Sequence, residues 1–70
     1  MPKAKELLRF LHEHGYEETR QKGSHRILIH AVRPMLSVPI HSGDVPRGLF
    51  LRILKDAGFS EQEFLGGKKK

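Results

Sequence analysis

The apolar residues of this 70-residue chain change period twice, and the order of the periods limits the folds open to it. Ala4, Leu7, Leu8 and Leu11 recur at i, i+3, i+4 and i+7, the stripe of an amphipathic helix, with Lys3, Lys5, Glu6, Arg9 and Glu13 on its other face. Gly15 stands where a left-handed residue would end that helix, which we place at 3–14. From Tyr16 the period falls to two. Residues 16–21 read as a short polar strand, Lys22-Gly23-Ser24 as a turn whose glycine supplies a positive φ, and residues 25–30 as a second strand. Val32-Arg33-Pro34 makes another turn. Leu36, Val38 and Ile40 then alternate with Ser37, Pro39 and His41, a strand with one buried face. Pro39 has no N–H to give a ladder, so this strand belongs at a sheet edge.

The helical period returns with Phe50, Ile53, Leu54 and Ala57, with Leu49 beside them. Pro46 suits the first turn of this helix, Asp44 stands upstream as its cap, and Gly58 closes it. Ser60 and Glu63 have the spacing of a capping box, and Phe59 and Phe64 that of a hydrophobic staple, which predicts a short third helix. The expected fold is therefore α+β, in the order α-β-β-β-α with a short final helix. A three-stranded antiparallel sheet would carry both long helices on one face and leave the other open.

A domain of this size buries only about 60% of its unfolded surface. It has no room for a doubly wound cofactor domain or a deep cleft, so any chemistry must sit on an open surface. Cysteine is absent, which excludes disulfides, thiolate metal sites and a cysteine nucleophile. No apolar run approaches the ~20 residues of a membrane span, and no signal-peptide pattern opens the chain. A cytoplasmic protein without membrane association is expected.

The formal charge of +5 is unevenly placed. Lys68, Lys69 and Lys70 follow Gly66-Gly67, and residues 66–70 read as a flexible basic tail to a single domain at 1–65. Residues 20–43 hold Arg20, Lys22, Arg26 and Arg33 and no acid, while the flanks are mixed. Such segregation points to an anionic partner, RNA or DNA first, with a merely solvated basic face as the other reading.

Five histidines are the richest chemical feature. His12 and His14 lie near the end of the first helix, where histidine suits the helix dipole, and read as structural or surface residues. His30 and His41 fall at strand ends and read as surface residues. No His-x₃-His or His-Glu-x-x-His pattern appears, so neither a metal site nor a cofactor is expected. Ser24 lacks a nucleophile elbow, and Lys22-Gly23-Ser24 lacks the spacing of a phosphate loop. His25 differs by context, because it follows a turn and has Arg20, Lys22 and Arg26 close in sequence. RNA carries its own nucleophile, the ribose 2′-OH. A histidine could take that proton or protonate the 5′-oxygen, and nearby cations could hold the charge that builds on phosphorus.

The pieces Lys5-Glu6-Leu7-Leu8 with Leu11, Gly15-Tyr16, Arg20-Gln21-Lys22-Gly23-Ser24-His25, Val38-Pro39-Ile40-His41 and Ile53-Leu54-Lys55-Asp56-Ala57-Gly58 occur here in order. Over residues 3–65 they resemble the HicA family, the YcfA-like mRNA interferase toxins. The resemblance implies a fold like the double-stranded-RNA-binding domain. It also implies RNA endonuclease activity with the G-S-H histidine, here His25, as the essential residue, and inhibition by a HicB antitoxin that covers the active site. Two positions depart from the family pattern. Arg26 stands where a second histidine is common, and Gly48-Leu49-Phe50-Leu51 replaces Gly-Thr-Leu-Arg, with Arg52 one place later. The second change marks a more apolar, potentially self-associating helix surface, so a homodimer is an open alternative.

The combined expectation is the toxin of a type II toxin–antitoxin pair, a metal-independent endoribonuclease acting on mRNA. His25 is its general acid or base, and Arg20, Lys22, Ser24 and Arg26 are its RNA contacts. A non-catalytic RNA-binding module of the same fold is the alternative.

Overall fold

The computed structural model describes residues 3–39 and 43–67. Six elements follow one another: α1 (Ala4–Glu13), β1 (Glu17–Lys22), β2 (His25–Ile29), β3 (Leu36–Pro39), α2 (Arg47–Ala57) and α3 (Glu61–Gly67). The strands form one antiparallel sheet in the order β1-β2-β3, which puts Pro39 on an edge strand as its missing N–H requires. This is the expected α+β arrangement, and it has the character of a double-stranded-RNA-binding domain. Ile40 and His41, expected to end the third strand, lie outside the described residues, as do Lys68, Lys69 and Lys70. Helix α3 runs through Gly67 and so includes Gly66 and Gly67.

The helices cover one face of the sheet because alternate strand residues there are apolar. Leu28, Leu36 and Val38 meet Ala4, Leu7, Phe10 and Leu11 of α1 and Phe50, Ile53, Leu54 and Ala57 of α2 in a single buried cluster. Within it the Phe10 ring meets Phe59 at 5.1 Å and Phe64 at 5.2 Å, both edge-on. The last helix starts as its sequence demands. The Ser60 N–H donates to Glu63 Oε1 at 2.7 Å, and the Glu63 N–H donates to Ser60 Oγ at 3.1 Å. Phe50 is buried against Phe64 at 4.9 Å, and Leu49 and Leu51 pack on the core from either side. The apolar departure in α2 is thus largely spent inside the fold, which leaves less surface for self-association than the sequence suggests.

Both long helices end in the same hydrogen-bonded device. The Gly15 N–H donates to His12 O and the Tyr16 N–H to Leu11 O; the Gly58 N–H donates to Lys55 O and the Phe59 N–H to Leu54 O. These are Schellman pairs, and each needs a glycine at positive φ: 101° at Gly15 and 92° at Gly58. The connection between β2 and β3 then ties down both ends. His30 Nε2 lies 2.8 Å from His14 O, and Arg33 Nη1 donates to Ala57 O at 2.8 Å. A third bond runs from the Tyr16 hydroxyl to Pro34 O at 2.8 Å.

The start of α2 differs from the sequence expectation. Pro46 is the residue that caps the helix, without a side-chain bond, and not a member of its first turn. Asp44 is drawn away to Lys3, with which it makes a 2.9 Å ion pair beside a short backbone bridge. Their mutual hydrogen bond holds the Lys3 ammonium above its ordinary value and the Asp44 carboxyl below its own.

Tyr16 is fully buried, and burial pushes its hydroxyl above the ordinary phenol value, against the opposing pull of the Arg33 charge. The folded state therefore favours the neutral phenol. Its contribution is intact below the ordinary value and is lost as pH climbs through the raised one. Tyr16→Phe is expected to cost about 1 kcal/mol near neutrality, the worth of one hydrogen bond. It should also flatten the fall in stability above pH ~10. Chemical denaturation across alkaline pH would check this. Parallel alkaline losses in the two proteins would show that another group is responsible.

Candidate nucleic-acid interface

The face of the sheet away from the helices is built by the β1–β2 register. Lys22 stands opposite His25 at the mouth of the hairpin, Arg20 opposite Ile27, and Glu17 opposite Ile29. On the other side of β2, Pro39 stands opposite His25 and Ser37 opposite Ile27. Cross-strand partners share a face, and residues along a strand alternate between faces. Lys22, Arg20 and Glu17 therefore line one face with His25, Ile27 and Ile29. Leu28, Leu36 and Val38 point the other way, into the core.

A bulge makes this order work. The register slips between Glu18 and Arg20, so Thr19 is the extra residue, and its hydroxyl donates to Ile27 O at 3.2 Å. Without the slip, Glu18 would share the open face with Arg20 and Lys22. With it, Glu18 turns to the helix side, and the cations at the hairpin end stand clear of its carboxylate. Arg20 and Lys22 make no side-chain hydrogen bond or ion pair among the described residues.

The hairpin loop is the two-residue Gly23-Ser24, closed by Lys22 and His25. Gly23 has φ 60°, and among the described residues only glycines have positive φ, so Ser24 does not; this is the pattern of a type II′ turn with glycine at its first central position. Such a turn matches the twist of the strands and holds His25 at the start of β2. The imidazole is exposed, and Ser24 beside it is half-buried. An ammonium and an imidazole on directly opposed residues have their Cβ atoms about 5 Å apart. One oxygen cluster, such as a phosphate, can meet both.

The structure does not bring all the basic residues of the central stretch together. Arg26 follows His25 and so falls on the opposite face. Its guanidinium Nη1 pairs with Glu18 at 3.2 Å, and its Nε is buried with no hydrogen-bond partner among the described residues. It borders a recess under α1 with Lys3, Lys5 and Leu8, away from His25. Arg33 is committed to the fold, because it bonds to Ala57 O and lies 4.3 Å over the Phe59 ring. A cation at the last carbonyls of a helix is favourable against its dipole. Of the residues expected to contact RNA, the open face gathers Arg20, Lys22 and Ser24 around His25 and leaves Arg26 behind the sheet.

The other histidines divide cleanly. His14 bonds to Phe10 O at 2.8 Å and stacks on the Phe10 ring at 4.2 Å. His30 accepts the Val32 N–H on Nδ1 at 3.0 Å, which leaves Nε2 to carry the proton toward His14 O. Both serve the fold. His12 is exposed on α1, and His41 lies outside the described residues. Among the described residues no group of three His, Asp or Glu gathers closely enough to hold a metal ion. No helix among them is long and apolar enough to cross a membrane.

Sequence reading missed the far half of this face. Ile29 is 45% exposed and Met35, just before β3, is 65% exposed, while Val32 in the loop between them is 86% exposed. The alternation of β2 already implied that Ile29 shares a face with His25; the position of Glu17 beside it depends on the bulge. Compared with known families, residues 4–59 match the model described as the HicA toxin of bacterial toxin–antitoxin systems. No curated protein matches the chain.

Proposed function

Since that match spans well over half of the chain, this protein belongs to the HicA toxins of bacterial toxin–antitoxin systems, and from that premise we propose that it is an mRNA endoribonuclease with His25 as its acid–base group. The observation that carries the proposal is the hairpin mouth: an exposed imidazole on the residue opposite Lys22, with Arg20 next along the same face. In the proposed reaction, His25 takes the proton of a ribose 2′-OH as its oxygen bonds to the adjacent phosphorus. The bond from phosphorus to the 5′-oxygen breaks, and water gives that oxygen its proton. The products are a 2′,3′-cyclic phosphate and a 5′-hydroxyl. Lys22 and Arg20 neutralise the non-bridging oxygens, where charge is greatest in the transition state. Arg26 has a structural role in this scheme, through Glu18. A HicB-like antitoxin is the proposed partner, and it would silence the toxin by covering the open face, which carries its cations at the hairpin end and the exposed Ile29 toward the other.

The protein is expected to cut single-stranded RNA in EDTA, to leave cyclic-phosphate ends, and to spare the all-DNA version of the same strand. Cutting of the DNA strand would sink the 2′-OH mechanism, and binding without cutting would make the protein an RNA-binding module. Binding should depend modestly on salt. With Arg20 and Lys22 each meeting one phosphate, a slope of about −0.7 per phosphate gives a roughly sevenfold loss for a fourfold rise in salt. A loss of ~10³ would point to many more phosphates, and so to a different surface.

A further inference from the structure

The open face does not end at the cations. At the opposite end from the hairpin lies a shallow recess of about 300 Å³, lined by Gly15, Glu17, Ile29, His30 and Ala31. Gly15 lets the His30 ring close over it where a Cβ would lie, at a φ that favours glycine. His30 is pinned at both ring nitrogens, by His14 O and the Val32 N–H, and rests edge-on against the buried Tyr16 ring at 4.8 Å. Its imidazole is thus a fixed wall whose nitrogens are already used. Ile29 offers a half-exposed apolar floor. Glu17 stands opposite Ile29, exposed, and its carboxylate makes no hydrogen bond or ion pair among the described residues.

Resting on the ribonuclease reading above, we propose that this recess is a base-recognition subsite for guanine, with Glu17 as the reading residue. The position fits a strand crossing the face. Ile29 lies four positions along β2 from His25, about 13 Å at 3.3 Å per residue. That is beyond one nucleotide and within reach of a few, and Arg20 lies between as a phosphate contact. The chemistry selects the base. An ionised carboxylate only accepts, and its two oxygens suit two parallel donors. Guanine alone presents two adjacent donors on its pairing edge, N1–H and the N2 amino group. Adenine and cytosine each place a ring-nitrogen acceptor beside their amino group, and uracil flanks its one N–H with two carbonyls. Those acceptors would face the carboxylate and be repelled. The ring of the base would lie between Ile29 and the imidazole wall, as bases in single-stranded sites commonly stack on flat side chains.

The test compares short single strands identical except for one base, placed at each position on either side of the cut: guanine, inosine, adenine or uracil. Cleavage is followed with wild-type protein and with Glu17→Gln, and strand binding is measured on His25→Ala protein so that affinity is read without cutting. One position is expected to prefer guanine over adenine by roughly tenfold or more, within the range of one good bidentate contact. Inosine, which lacks the N2 amino group, should fall between them, and Glu17→Gln should flatten the ratio. The preference should appear in binding as well as in cleavage. Wild-type cutting that is indifferent to guanine at every position would overturn the subsite and leave the ribonuclease reading standing. Guanine-selective binding without any cleavage would uphold the subsite and remove the nuclease. A guanine preference unchanged by Glu17→Gln would assign the reading to another residue and overturn the proposal.

Discussion

Gly15→Ala is expected to unfold a large share of this protein at physiological temperature. Two independent costs meet at that residue. Its φ of 101° is a conformation that a Cβ resists, and a left-handed residue with a side chain costs about 1–2 kcal/mol. A Cβ built there would also lie 2.7 Å from His30 Nε2, inside contact distance. The ring cannot step aside cheaply, because both of its nitrogens are bonded and its edge rests on Tyr16. Forcing it away adds about 1–3 kcal/mol of overpacking and gives up a hydrogen bond of about 1 kcal/mol. The sum is of order 3–6 kcal/mol, against a total of ~5 kcal/mol or a little more for so small a domain.

Gly23 supplies the control. It too has positive φ, 60°, but a Cβ there would meet nothing within 4 Å. Gly23→Ala should therefore show the backbone cost alone. At about 4–8 °C per kcal/mol for a domain of this size, Gly15→Ala should melt at least ~10 °C below Gly23→Ala. His30→Ala in the Gly15→Ala background should recover part of the loss, so that the two changes together cost less than their sum. Equal melting temperatures for Gly15→Ala and Gly23→Ala would mean that His30 does not press on that site.

These contacts mark the boundary of what the chain makes legible. The helices, the hairpin and the capping box could be read from spacing, because each is set by residues close in sequence. Ser60 and Glu63 do what their separation of three predicts. The side on which Arg26 lies was also legible, since strict alternation after His25 turns it away; reading the basic stretch as one patch by sequence proximity obscured it. The bulge at Thr19 was not legible. Nothing in Glu17-Glu18-Thr19-Arg20 distinguishes a regular strand from a bulged one, and the choice is made by how β1 docks on β2. Arg33 and His30 illustrate the same limit. Each sits in a loop and reads as a surface group, but the tertiary approach of two helix ends gives each a carbonyl to hold. Asp44 is the converse, a good local cap that a more favourable partner at Lys3 has taken.

His25→Ala should separate the site from the scaffold. The side chain is exposed, so its removal takes little packing from the core, and the melting temperature should stay close to that of the wild type. Cleavage should behave otherwise. A positioned acid–base group contributes roughly 10²–10⁴-fold, and His30, which borders the far end of the open face, has both ring nitrogens already bonded and cannot replace it. His14 and His30 are tied into the fold by their ring nitrogens, so neither can take over without breaking a bond that holds a helix end. Lys22→Ala should give a smaller loss, because it removes charge stabilisation and leaves proton transfer in place, and higher salt should deepen its effect on binding. Arg26→Ala should give a third pattern, with lower stability through Glu18 and the surface under α1 but little change in the cleavage rate of the protein that remains folded. Single-turnover cleavage in EDTA, with each variant's folded fraction measured alongside, checks all three. If His25→Ala cuts at the wild-type rate, the acid–base group lies elsewhere. If Arg26→Ala loses as much rate as Lys22→Ala while fully folded, the division of the basic residues between the two faces is not the division between catalysis and structure.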